Sequence, residues 1–344
     1  MLKKWTSRLS AAGLVAATVA AQAPNAAAQM KEIRIGWQPT TTVEAQIAHT
    51  LAKTDILEKN GLKAKMIMFS FGPAVNEALV SGAIDVGFIG DMPSVALANA
   101  NAPTTVIGRQ SVFRGSIVAS TKSGITTMAG LKGKKLYGPV GSSIFLAAQN
   151  LLAKEGLVPG KDVEIVHMGF ADLSDGIKAG KVDAVFVWDP WIELFATKGL
   201  GKVLASDTSL TMVIAMRDDF LKKNPKEAKA FLKAHKEATL YAASNHDQAN
   251  AWFREPENAR TLEPAVVQTA TAYDPQWSAK SIKDIRISFN DAELKRYLGL
   301  GKQAHALKVF PKEPPLAKKT NMTMAKELDA KPWAFDPKTV KVMK

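Results

Sequence analysis

The chain has 344 residues, a formal net charge of +13 and no cysteine. The lack of cysteine excludes a disulfide framework, thiolate chemistry and a lipid anchor on an N-terminal cysteine. The basic residues form no arginine-rich block with interleaved aromatics, which excludes a nucleic-acid surface; the excess either favours anionic partners or serves solubility.

Lys3, Lys4 and Arg8 precede an apolar run from Ala11 to about Ala21, and Ala26-Ala27-Ala28 follows. This is the pattern of a secretory signal over residues 1–28, cleaved near Ala28. Neither that run nor any later one has the roughly 20 apolar residues of a spanning helix, so an exported, soluble chain is expected. The remainder exceeds what one hydrophobic core usually organises, so two domains are expected.

The first elements alternate: strand Ile33 to Trp37, helix Val43 to Asp55, strand Lys65 to Phe69, helix Ala74 to Val80 and strand Asp85 to Ile89. Ile- and Val-rich strands between helices with apolar residues at three- and four-residue spacing predict a parallel sheet covered on both faces. A second unit follows, with strand Lys135 to Tyr137, helix Ile144 to Glu155, strand Val163 to Val166, helix Leu173 to Ala179 and strand Ala184 to Val187. Ser81 to Asp91 aligns without gaps on Ala179 to Asp189, matching Gly, Asp, Phe and a final Asp, with Pro93 and Pro190 just beyond. The fold class is therefore α/β, two lobes of similar topology with a cleft between them.

From about Pro225 the pattern turns helical: Lys226 to Ala243, then pieces near 247–254, 264–272, 291–298 and 322–329, with a Pro-rich connector from Phe310 to Pro315. The expected division places residues 29–112 and 212–344 in lobe 1 and 113–211 in lobe 2. The strands crossing between them are expected near Ser116 to Ser120 and Met212 to Met216.

Ligands in open α/β sheets bind beyond the carboxyl ends of strands. Four loops there carry suggestive chemistry. Trp37-Gln38-Pro39-Thr40-Thr41-Thr42 precedes a helix, with Thr41 and Glu44 at capping-box spacing. Gly141-Ser142-Ser143 opens another helix in the second lobe. A helix N-terminus offers unpaired N–H groups and about half a positive charge, which suits an oxyanion without arginine. The alternative is that Thr41 or Thr42 and Ser143 cap their own helices. The other two loops are the matched pair around Asp91, Met92 and Asp189. Either carboxylate is a helix cap or meets a cationic ligand group. Trp188 and Trp191 lie at the same mouth, as core or as cover for an apolar ligand body. Arg109 and Arg114 flank the crossing, as hinge residues or as guanidinium groups in the cleft.

Ile35-Gly36-Trp37-Gln38, Gly90-Asp91-Met92-Pro93, Gly130-Leu131-Lys132-Gly133-Lys134, Gly141-Ser142-Ser143 and Val187-Trp188-Asp189-Pro190 together resemble the periplasmic binding proteins of nitrate, taurine and alkanesulfonate uptake. That family also contains thiamine-pyrimidine precursor proteins. The resemblance implies a type II binding-protein fold closing on one small ligand, no cofactor, and delivery to a membrane permease driven by an ATPase. By motif the cleft would be lined by Gln38, Thr41, Thr42, Asp91, Met92, Ser142, Ser143, Trp188 and Asp189. After Gly-Ser-Ser this chain carries Ile144, Phe145 and Leu146 where polar residues are usual, which suggests a bulkier or aromatic ligand than taurine.

The leading expectation is a monomeric, periplasmic binding component of an ABC importer, taking an alkyl or aryl sulfonate. A second is an aromatic carboxylate or pyrimidine, stacked on Trp37, Phe145, Trp188 or Trp191. A third, a pyrimidine-forming enzyme, is disfavoured because such relatives use a cysteine-rich motif. The chain also has no phosphate loop, GxSxG elbow or HExxH pair, and its five histidines have no metal-ligand spacing. The same fold serves as the effector domain of some transcription factors, but those carry a helix-turn-helix where this chain carries an export signal.

Overall fold

The computed structural model describes residues 30–257 and 259–343, so the expected leader and its cleavage site lie outside the described residues. The chain runs β1 (Lys31–Trp37), α1 (Thr42–Lys53), α2 (Ile56–Lys59), β2 (Leu62–Met68), α3 (Gly72–Ser81), β3 (Val86–Gly90) and α4 (Asp91–Asn99). The long β4 (Thr104–Ser120) leads to β5 (Lys135–Gly138), α5 (Ser143–Lys154), β6 (Glu164–His167), α6 (Phe170–Ala179), β7 (Ala184–Trp188) and α7 (Trp191–Thr197). A second long strand, β8 (Gly201–Arg217), returns. The helices α8 (Asp218–Lys223), α9 (Pro225–Ser244), α10 (His246–Phe253), α11 (Pro264–Thr271), α12 (Asp291–Ala306) and α13 (Thr323–Ala330) complete the order.

The repeated βα signature is real structure. Gly82 ends α3 and Gly180 ends α6 in the left-handed region, at φ 79° and 70°. A side chain there would be strained, so both copies spend a glycine on the same turn into a buried strand. Both strands are buried along their whole length. They read as continuous apolar runs because helices cover both faces.

All eight strands form one sheet in the order β2-β1-β3-β8-β4-β7-β5-β6. The outer trios pair in parallel, while β8 is antiparallel to β3 and β4, and β4 to β7. The strands expected to cross between lobes are longer than the sequence suggested. Ser116 to Ala119 already pairs with β7, and Met212 to Met216 with β3. The two halves of the sheet meet nearer Val112–Gly115 and Thr211–Asp207. Register shifts at Val106/Gly108, Arg109/Ser111 and Phe113/Gly115 break the period-two pattern that would have revealed β4. Its buried Arg109, Gln110 and Ser111 hide it further.

Smaller differences have local causes. β2 starts at Leu62, ahead of the expected Lys65, because Lys63 and Lys65 lie on the exposed side of an edge strand and mask its alternation. Against the β2-β1-β3 end, α9 packs on α1, α13 on α9 and α12 on α4. Among the described residues no helix is long and apolar enough to cross a membrane.

Candidate functional site

The carboxyl ends of β1, β3, β5 and β7 converge where the two halves face each other. At the end of β1, Gln38 is held from both sides. Its backbone N–H donates to Glu44 Oε1 at 3.0 Å, and its Nε2 donates to the Phe88 carbonyl at 2.9 Å. The expected capping box therefore does not form: Glu44 reaches past Thr41 to Gln38, and the Thr41 side chain makes no cap bond although Thr41 is the N-cap of α1. Glu44 is fully buried, and burial pushes its carboxyl well above the usual range against the Gln38 N–H bond. Across the cleft Ser142 is the N-cap of α5, also without a cap bond, and its buried hydroxyl has no partner. Two helix starts thus present free hydroxyls beside first-turn N–H groups.

Between them lies a small inner chamber of about 20 Å³, lined by Gln38, Thr41, Phe71, Gly72, Gly90, Pro93, Phe113, Ser142, Ser143, Ile144, Trp188 and Met212. The halves touch closely here. A Cβ on Gly90 would stand 2.2 Å from Ser143 Oγ, so only glycine admits that hydroxyl. Ser143 Oγ also lies 3.4 Å from the Met92 backbone N–H. Two indole N–H groups of the second half, Trp188 at 2.8 Å and Trp191 at 3.3 Å, donate to the Thr40 carbonyl of the first.

Neither expected carboxylate is free. Asp91 follows the N-cap Gly90, and its Oδ1 accepts the Met92 N–H at 2.9 Å. Its Oδ2 accepts Arg296 Nη2 at 2.9 Å and the Thr211 N–H at 3.3 Å. Asp189 is gripped by Arg114, Nε and Nη2 each at 2.8 Å. Arg114 also reaches Glu193 at 2.5 Å and the Tyr273 hydroxyl at 2.6 Å, with its guanidinium 4.3 Å from the Tyr273 ring centre. Burial raises Asp189 to about 6, opposed by the Arg114 bonds. Arg114 therefore does not enter the cleft as a free cation, and a ligand amine held by Asp91 or Asp189 has no carboxylate to itself. Arg109 likewise turns inward, 3.2 Å from Asp274.

Of the expected residues, Gln38, Thr41, Ser142, Ser143 and Trp188 line the inner chamber, while Asp91 and Ser143 line a larger neighbouring cleft. Thr42 and Met92 are buried outside both linings, as are Asp189 and Trp191. The structure does not bring Phe145 or Trp37 to the chamber. Phe145 packs toward Phe186 at 6.3 Å because the α5 register turns it off the cleft, and Trp37 meets His49 edge-on at 4.9 Å. Trp191 is taken up by Phe170 at 4.4 Å. Sequence reasoning missed Phe71 and Gly72, although they follow a strand end at β2 where the same loop rule applies. Phe113 and Met212 carried no signal, since they lie inside the strands that cross between the halves.

A family model described as NMT1/THI5 like matches residues 57–249, more than half of the chain. The chain belongs to the NMT1/THI5-like family. Among its relatives, a protein of Escherichia coli (strain K12) named for binding aliphatic sulfonates is 30% identical over 253 residues, covering 71% of this chain and 76% of that protein. The taurine-binding periplasmic protein of the same organism is 27% identical over 242 residues, covering 68% and 73%. Among solved structures, the alkanesulfonate-binding protein SsuA from Xanthomonas axonopodis pv. citri, bound to MOPS, superposes with a TM-score of 0.72 at 23% identity, over 86% of this chain and all of that one. The NMT1/THI5-like chain thus has the two-lobed α/β binding-protein fold expected from its repeated units.

Proposed function

We propose that this protein is the periplasmic solute-binding component of an ABC importer, that its ligand is an organic sulfonate, and that it delivers the ligand to a membrane permease as a monomer without catalysis. The observation that carries this reading is the pair of uncapped helix starts, Thr41 on α1 and Ser142 on α5, facing one chamber whose lining holds no carboxylate, while Asp91, Asp189 and Glu44 nearby each already accept a donor of the protein. A sulfonate oxygen placed there meets hydroxyls and first-turn N–H groups of both halves without meeting a free carboxylate. Gln38, Thr41, Ser142, Ser143 and Trp188 are the ligand contacts in this reading. Residues 29–112 with 212–344, and 113–211, are its lobes. The names of the relatives support the ligand class and the compartment. The lack of any cysteine, together with relatives named as binding proteins, supports transport over pyrimidine synthesis.

Phe71, Phe113 and Trp188 on the chamber wall favour a second ligand reading, an aromatic carboxylate or a thiamine-type pyrimidine. A thermal-shift panel of linear and aryl sulfonates, taurine, nitrate, aromatic carboxylates and thiamine pyrimidines separates the two. A ligand at about 100 times its Kd adds roughly 2.7 kcal/mol to the folded state and raises Tm by roughly 5–10 °C. A shift with sulfonates is the expected result; a shift confined to carboxylates or pyrimidines overturns it.

A further inference from the structure

A second cleft of about 500 Å³, in the range of small-molecule sites, runs between α5 and α12, one helix from each half. Asn150 Nδ2 donates to Gln303 Oε1 at 3.0 Å across it. Toward the inner chamber, Ser143 Oγ closes the seam against Gly90 and the Met92 N–H, so the cleft is a separate space. Its chemistry differs too. The chamber lining carries no charged side chain, whereas the cleft carries two cations and two carboxylates, Arg296, Lys154, Asp91 and Asp207. Leu146, Ala147, Leu210 and Leu300 give it an apolar wall. Arg296 and Asp207 stand at the two ends of one short chain of hydrogen bonds. Arg296 Nη2 donates to Thr211 Oγ1 at 2.7 Å, and Thr211 Oγ1 donates to the Ser209 carbonyl at 3.2 Å. The Ser209 N–H and hydroxyl then donate to Asp207 Oδ1 at 2.8 and 2.6 Å. Each end keeps capacity. Arg296 spends only Nη2, on Asp91 and Thr211, so among the described residues its Nη1 and Nε have no partner, and neither has Asp207 Oδ2.

A ligand of one sign would leave either a cation or a carboxylate of this lining beside like charge, whereas a ligand that carries both signs pairs with each. We infer that the outer cleft is a second ligand site, separate from the chamber, and that it takes a small zwitterion with an aliphatic body, an α-amino acid of the leucine type. Its carboxylate meets the open N–H groups of Arg296, its ammonium meets Asp207, and its side chain lies on the leucine wall. A guanidinium already fixed by Asp91 and Thr211, and a carboxylate already fixed by Ser209, are pre-oriented before the ligand arrives.

Calorimetric titration of the full mature protein with L-leucine, isocaproate and isoamylamine tests this, because isocaproate is leucine without the ammonium and isoamylamine is leucine without the carboxylate. Leucine is expected to bind at least tenfold tighter than either, with a Kd that saturating hexanesulfonate changes no more than threefold. Asp207→Asn, which keeps an acceptor for Ser209, is expected to weaken leucine at least tenfold and isocaproate no more than twofold. Gln303→Trp, at an exposed position on the cleft wall, is expected to weaken leucine at least tenfold and hexanesulfonate no more than twofold. Absence of leucine binding, equal affinities for the three probes, displacement of leucine by hexanesulfonate, or leucine binding that both variants leave unchanged overturns the inference while leaving the sulfonate reading intact. Failure of every sulfonate to bind overturns that reading alone, since the three leucine probes and the two variants still decide this one.

Discussion

The loops Gly90-Asp91-Met92-Pro93 and Trp188-Asp189-Pro190-Trp191 end equivalent strands, yet their carboxylates live differently. Asp189 is wholly buried and takes both of its side-chain donors from one arginine, Arg114, which reaches it from the neighbouring strand β4 with two parallel bonds. Asp91 is nearly as buried, but it divides its oxygens among two backbone N–H groups and an arginine, Arg296, that is partly open to solvent. The same short signature is therefore a rigid brace in one half and a shared junction in the other. An aspartate at a strand end announces a need for donors without naming who supplies them.

Breaking the brace gives the largest expected effect. Arg114→Ala strands a buried carboxylate and should lower unfolding free energy by about 3–5 kcal/mol in urea titration. A loss below about 1 kcal/mol would mean that Asp189 protonates and the ion pair contributes little. Replacing both hydroxyls of the paired helix starts, Thr41→Ala with Ser142→Ala, should weaken sulfonate binding by about 100-fold, roughly 2.7 kcal/mol, while the melting temperature without ligand changes little, since neither side chain caps its helix. An unchanged Kd would remove the two-sided clamp.

Acid acts on buried groups of both halves. Burial lowers His49 to about 4 and His235 to about 3, and His235 has both ring nitrogens unpartnered. Their folded values lie below the unfolded value near 6.5, so their contribution is present above that pH and is lost as pH falls toward 4 and 3. At pH 5 each removes about 2 kcal/mol. Asp189, raised to about 6, and Glu44, also raised by burial, act with the opposite sign: their contribution is present in acid and is lost as pH rises through the folded value. His235→Leu should therefore reduce the proton uptake on unfolding at pH 5 by about one, measured from the pH slope of stability. The smallest effect belongs to the shared junction. Arg296→Ala leaves Asp91 two backbone donors and should be destabilising by about 1–2 kcal/mol, clearly less than Arg114→Ala. Equal losses would erase the distinction between the two loops.

Much of this was legible because it is local. Alternating apolar strands and helices, glycines that must turn left-handed at 82 and 180, and hydroxyl-bearing helix starts at Thr41 and Ser142 follow from backbone geometry within a few residues. The long strands β4 and β8 were partly hidden, since bulges and buried polar residues erase the periodicity by which strands are read. Phe145 and Trp37 were expected to line the cleft and lie outside the chamber lining, because one step of helix or strand register turns a side chain to another face.

By itself, the sequence determined the α/β class, the two repeated units, the helix starts that could meet an anion and the exclusion of cysteine chemistry. Only the tertiary structure decided that both halves share one sheet, that Arg114 and Arg296 occupy the two aspartates, that the N-cap hydroxyls stay free, and that a second cleft adjoins the first. The physical reason is range. Propensities and caps act between near neighbours, whereas a buried charge is satisfied by whichever donor the folded chain brings within about 3 Å, however far along the sequence it lies.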